Sequence, residues 1–135
     1  MNNCIFCKII NKEVPAYIVD ENDEVIVFVA PENHPLIVTK KHIPDIYSLD
    51  EKSASAVMIE AVKIANAVKK GLQCEGVNLV QSNEPSAGQD VFHFHLHIKP
   101  RWHDDKVTLY WESEVKSHDV RQTTLESIKN ALDYK

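Results

Sequence analysis

The stretch Gly88-Gln89-Asp90-Val91-Phe92-His93-Phe94-His95-Leu96-His97-Ile98 decides how the rest of the chain is read. From His93 onward it alternates imidazole and apolar side chains. Successive side chains of an extended strand point to opposite faces. A strand over Val91 to Lys99 is therefore predicted, with His93, His95 and His97 on one face and Phe94, Leu96 and Ile98 turned into a core. The chain has seven histidines, and random placement would give this spacing roughly 0.02 times. Three imidazoles that titrate near neutrality on one rigid element suit either metal binding or phosphate chemistry. The loop in front, Ser86-Ala87-Gly88-Gln89-Asp90, favours phosphate. Gly88 lets a ligand approach the main chain, while backbone N–H groups and the Gln89 amide can donate to phosphoryl oxygens. A nucleophilic histidine flanked by donors fits phosphoryl or nucleotidyl transfer through a covalent intermediate.

Working outward, Glu24-Val25-Ile26-Val27-Phe28-Val29-Ala30 is β-branched and aromatic and reads as a buried strand. A turn at Pro31-Glu32-Asn33-His34-Pro35 leads to a second strand, Leu36-Ile37-Val38-Thr39, which together make a hairpin. One strong helix follows, capped by Asp50 or Ser48. Ala54, Val57, Met58, Ala61, Ile64, Ala65 and Val68 recur at helical spacing, Lys69-Lys70 meet the negative end of the dipole, and Gly71 is expected to stop it. Gly76 to Gln81 is a third strand, and Val91 to Lys99 a fourth. Lys106 to Trp111 is a further strand candidate and Thr123 to Leu132 a terminal helix; Cys4 to Pro15 has room for one helical turn. Adjacent strand pairs around one long helix predict an α+β domain with a mostly antiparallel sheet.

The chain's 135 residues fit a single domain, 1–135. With 15 Lys plus Arg against 20 Asp plus Glu, the net charge of −5 has the wrong sign for tracking an extended nucleic acid. A small phosphate ligand could still sit in a local pocket. No apolar run is long enough for a bilayer crossing, and no signal-peptide pattern opens the sequence. A cytoplasmic protein without a membrane partner is expected.

Three cysteines do not make a disulfide framework. Cys4-x-x-Cys7 is better read as half of a zinc site than as a redox pair, because Pro15 cuts short the helix that a redox motif needs. The missing ligands would be neutral histidines, with His42 and His93 as candidates.

The Gly88–Ile98 stretch resembles the signature of the histidine-triad (HIT) superfamily. Cys4-Ile5-Phe6-Cys7-Lys8-Ile9-Ile10 and His34-Pro35-Leu36-Ile37-Val38-Thr39-Lys40-Lys41-His42 resemble its bacterial Hint-like members. These blocks keep their order from Cys4 to about Arg101, so 1–111 carries the family motifs and 112–135 is a C-terminal extension. The resemblance implies a HIT-like fold and a nucleotide hydrolase or nucleotidyl transferase. Its substrate would be a purine nucleotide or dinucleotide, either a nucleoside phosphoramidate or a dinucleoside polyphosphate. It implies His95 as the nucleophile on the α-phosphorus, His97 as the histidine assisting at phosphate and leaving group, and His34 as the upstream histidine. Asn83, Gly88 and Gln89 match phosphate-contacting positions. Cys4, Cys7, His42 and His93 match the set that holds a structural zinc in metal-bearing members. A homodimer with a sheet continued across the interface is also implied.

Two departures stand out. Relatives commonly carry a longer segment, with an Asp that binds ribose hydroxyls, where this chain has Phe28-Val29-Ala30-Pro31-Glu32-Asn33-His34. Asp90 occupies a place where they often have Ser, and a carboxylate there repels phosphate unless it points away or pairs with a histidine. Two alternatives accompany the enzyme reading: a zinc-stabilised nucleotide-binding module with little turnover, and a catalytic zinc held by the three histidines.

Overall fold

A computed structural model describes residues 3–132. Its elements are α1 (Ile5–Ile10), β1 (Tyr17–Glu21), β2 (Val25–Val29), β3 (Pro35–Thr39), α2 (Glu51–Leu72), β4 (Gly76–Val80), β5 (His95–Arg101) and α3 (His118–Leu132). Short 3-10 turns lie at Ile46–Ser48 and Pro85–Ala87. The chain divides into two compact units, Met1–Asp105 and Lys106–Lys135. The first holds the sheet and the second carries α3.

The five strands form one antiparallel sheet in the order β1-β2-β3-β5-β4. The β2–β3 hairpin closes tightly. Ala30 N donates to His34 O and Asn33 N to Ala30 O, both at 2.8 Å, and Asn33 takes φ +67°, a conformation Asn tolerates better than most residues.

Period-two alternation sorts the side chains onto two sheet faces. On one, Val25, Val27, Ile37, Leu96 and Ile98 pack beneath Val57, Ala61, Ile64 and Val68 of α2. On the other, Ile26, Phe28, Leu36 and Val38 pack beneath Phe6 and Ile9 of α1. Coverage on both sides explains why β2 and β3 are almost wholly apolar.

Helix α2 starts as predicted, with the Asp50 carboxylate accepting from Ser53 N at 2.8 Å. Met58, expected inside, is 56% exposed, since one residue past Val57 turns it about 100° off the buried stripe. Gly71 does not end the helix. Gln73 does so in the left-handed conformation, φ 51°, and Lys69 Nζ reaches past the end to the carbonyls of Cys74 and Glu75.

Three further differences concern strands. β1 was not expected: it is an edge strand with exposed Tyr17, Ile18 and Val19, ordered by pairing with β2 and bulged between Ile18 and Asp20. β5 begins at His95 rather than Val91, because Phe94 N bonds Ile43 O at 2.6 Å. Lys106 to Trp111 forms no strand. In the second unit α3 begins earlier than predicted, where Ser117 caps it through Oγ to Val120 N. The fold class is α+β as read: an antiparallel sheet, one long helix and a C-terminal helix.

Candidate functional site

Strand β5 lies between β3 and β4, and its register places His97 opposite Leu36 and His95 opposite Val38. Both imidazoles therefore share the α1 face of the sheet. A cavity of about 870 Å³ opens there, within the range of small-molecule sites. Ile5, Phe6 and Ile9 form one wall, Phe28 and Leu36 come from the sheet, and His95 and His97 supply the imidazoles.

The hydrogen bonds of the histidines fix their protons. His95 Nδ1 lies 2.7 Å from the carbonyl of His93. A carbonyl only accepts, so Nδ1 carries the hydrogen, and in the neutral ring Nε2 is the nitrogen with the free lone pair. His34 Nε2 and His97 Nδ1 are 2.8 Å apart. Both cannot donate, so at least one of these rings is neutral. Burial, reinforced by His95 and His34, pushes His97 down to about 4. Burial and then Lys99 lower His34 as well. Near pH 7 His34 and His97 are thus neutral, beside largely apolar walls.

His93 does not join the other two. It precedes β5, is completely buried, and faces Cys4, Cys7 and His42. Its Nδ1 lies 3.4 Å from Cys4 Sγ, 3.6 Å from Cys7 Sγ and 3.1 Å from His42 Nδ1. Cys7 Sγ is 3.2 Å from His42 Nδ1. All four donor atoms fall within 4.8 Å of one another. A tetrahedral ion with these ligand types needs donor separations of about 3.3–3.8 Å, close to the 3.1–3.6 Å of these four contacts. His93 Nε2 donates to Thr39 O at 2.6 Å, which leaves its Nδ1 unprotonated, as metal ligation requires. Burial and then the neighbouring Cys4 push the Cys7 thiol up; a bound cation would act in the opposite direction. These four residues could hold a metal ion.

The preceding loop is arranged differently from expectation. Gln89 is buried, its Oε1 accepting from Glu84 N and its Nε2 donating to Pro44 O. Gly88 N and Gln89 N bond back to Pro85 O and Glu84 O, and Gly88 adopts φ +92°. Asn83 exchanges amide hydrogen bonds with Gln81 and accepts from Ile46 N. The donors expected at a phosphate thus tie the loop together here. Asp90, Glu32 and Asn33 line the cavity, and Asp90 tends to raise His97 against the stronger effect of burial. Lys40 and Lys41 pair with Glu21 and Asp50.

The cavity's apolar wall was missed in sequence. Phe6 meets Phe28, His93 and His95 edge to face, with ring centroids 5.6, 5.8 and 5.1 Å apart. The available signal was the apolar pair Ile5-Phe6 enclosed between the two cysteines.

The HIT domain family model matches residues 11–104. A HIT family protein from Bacillus anthracis has a similar structure, with TM-score 0.89 and 36% identity, over 96% of this chain and 97% of that one. A histidine triad nucleotide-binding protein from Candida albicans is similar at TM-score 0.87 and 26% identity, over 98% and 99% of the two chains. A zinc-bound histidine triad family protein from Mycobacterium smegmatis gives 0.74 and 27%, over 84% and 85%. The fold, the histidine strand and the family model agree, and the chain belongs to the HIT family.

Proposed function

We propose that this protein is a Hint-like nucleotide hydrolase or nucleotidyl transferase that works through His95. One observation carries the reading: the His93 carbonyl holds His95 Nδ1–H, which turns Nε2 into the nitrogen available for attack, on the wall of a largely apolar cavity. Nε2 donates its lone pair to the α-phosphorus of a nucleoside phosphoramidate or dinucleoside polyphosphate. The new N–P bond forms as the bond to the leaving group breaks, and the leaving group departs with that electron pair. Water then attacks the phosphorus and gives up a proton to solvent, balancing the one a departing amine takes up, while the N–P bond breaks and its electrons return to Nε2. His97 and His34, paired at 2.8 Å, bind the phosphoryl oxygens and serve the leaving group. The base lies against Ile5, Phe6 and Ile9.

Asn83, Gly88 and Gln89 form the phosphate side of the site, with Gln89 exchanging its bond to Pro44 O for a phosphoryl oxygen. Cys4, Cys7, His42 and His93 would hold zinc, whose preferences their two thiols and two imidazoles suit. Held there, it would supply structure and not Lewis-acid catalysis, since these four residues would complete a tetrahedral set. A homodimer fits the exposed stripe Met58, Ile59 and Val62 on α2 and the unpaired edge of β4 with its exposed Leu79. No helix among the described residues is long and apolar enough to cross a membrane.

The test is incubation with adenosine 5′-phosphoramidate and dinucleoside polyphosphates, recording AMP release and acid-quenched protein mass. Release together with an adenylyl adduct, both absent in His95→Ala, is expected. AMP binding without release or adduct would favour a binding module instead.

A further inference from the structure

Helix α1 belongs to two structures at once. Cys4 and Cys7 take part in the thiol–imidazole cluster, while Ile5, Phe6 and Ile9 form a wall of the cavity. A six-residue helix is far too short to persist by itself. Cys4, at its start, makes no side-chain capping bond. The helix is seated by Phe6 and Ile9 packing against Ile26, Phe28, Leu36 and Val38, and by whatever joins its two thiols to His42 and His93.

The far side of that junction is buried and hydrogen-bonded. His93 is wholly buried, its Nε2 tied to Thr39 O and its carbonyl to His95 Nδ1. The ring of Phe6, between the two cysteines in sequence, touches both His93 and His95. Anything that fixes Cys4 and Cys7 to His93 therefore also fixes the apolar wall over His95.

We infer that the Cys4–Cys7–His42–His93 cluster is a latch: a divalent metal held there seats α1 as a wall of the nucleotide pocket, so that metal loading sets nucleotide affinity. The ligand's identity rests on the nucleotide reading above, whereas the seating of α1 does not. If α1 is docked about a tenth of the time without metal, apparent nucleotide affinity falls about tenfold. Linkage makes the effect reciprocal, so nucleotide tightens metal binding by the same factor. A metal that only braces the whole fold would raise the unfolding temperature without changing α1 or affinity in the folded protein.

The experiment uses the full chain, stripped with chelator, checked for folding by circular dichroism, and titrated with zinc. Amide exchange is followed at Lys8 and Asn11, whose N–H groups donate to Cys4 O and Cys7 O, with Ile37 in β3 as the internal reference. AMP affinity is measured by calorimetry on the same samples. Zinc is expected to slow exchange at Lys8 and Asn11 relative to Ile37, and to tighten AMP, each by about tenfold. His42→Ala should abolish both responses, and His42→Cys, which restores a four-ligand set, should recover them.

The latch is overturned if zinc fails to bind stoichiometrically, or if bound zinc leaves α1 exchange unchanged. It is likewise overturned if AMP affinity stays within about twofold, or if the stripped protein unfolds outright. Should AMP bind in neither state, the nucleotide reading fails, while the exchange measurement still decides whether metal seats α1.

Discussion

His95 is oriented by the main chain of His93, a residue whose own side chain belongs to a different cluster: the Nδ1–O distance between them is 2.7 Å. Strand alternation puts His95 and His97 in the cavity, and this one bond selects which nitrogen of His95 is available for chemistry. Nitrogen-15 correlation spectra should show His95 as the Nδ1–H tautomer. His95→Gln, although of similar size, should lower AMP release by at least about 10³-fold and leave no covalent adduct. An Nε2–H resonance for His95 would contradict the assignment.

The neutral His34–His97 pair gives stability a defined pH dependence. His97 stays neutral in the folded protein down to about 4, whereas its ordinary value is 6.5. Between these values the unfolded chain binds more protons, so stability must fall as pH falls through the window. His34, lowered by burial, acts in the same direction. Above the window the contribution is complete and flat. Denaturant midpoints measured in chelator from pH about 7 to about 4.5 should decline, and more shallowly in His97→Gln. Equal slopes would refute a half-buried His97 that stays neutral.

Metal binding by Cys4, Cys7, His42 and His93 can be read optically. Cobalt added to the stripped protein should give the visible bands of a tetrahedral thiolate–imidazole site at one equivalent per chain. Cys7→Ser should lose about half of the thiolate charge-transfer intensity, Cys4 remaining, with affinity reduced by at least about 10²-fold. His97→Gln should leave the spectrum unaltered. A spectrum that depends on His95 or His97 but not on Cys4 would favour the three-histidine site.

Ile37, completely buried on the α2 face of β3, tests the packing. Ile37→Val should cost about 1 kcal/mol and Ile37→Ala about 2–5 kcal/mol by chemical denaturation. AMP affinity should change little, because the removed atoms lie on the sheet face opposite the cavity. A large loss of affinity with unchanged stability would mean that the two faces are coupled.

Ile59 and Val62 on α2 are 72% and 60% exposed. Sedimentation should give about twice the chain's 15.4 kDa, and Val62→Asp should shift the mass toward one chain. A monomer at all concentrations would rule out the proposed assembly.

Much of this architecture is readable from the residues, but unevenly. β2 and β3 are visible because two covered faces demand apolar side chains at nearly every position, and α2 because one buried face repeats at helical spacing. β1 is not, since Tyr17, Ile18 and Val19 derive their order from pairing with β2 rather than from burial. Alternation assigns the faces of His95 and His97, yet it cannot show where β5 starts. That start depends on Phe94 N meeting Ile43 O, a contact made only when distant parts of the chain come together. Alternation alone likewise puts His93 in one row with His95 and His97; its pairing with the cysteines, expected from the donor types, is made only in space. The sequence supplies the donor types of the metal set, and the fold supplies their meeting.

The alternation of β5 also limits how the protein can be altered. Inserting or deleting one residue between Phe94 and His97 would exchange the faces of every side chain beyond it. Imidazoles would enter the aliphatic layer under α2, and Leu96 or Ile98 would enter the cavity. Such a frame slip cannot inactivate the site while sparing the fold. Length variation should instead be tolerated at the β2–β3 turn, which joins two strands whose register is set by the sheet, so the mouth of the cavity can be reshaped while its floor cannot.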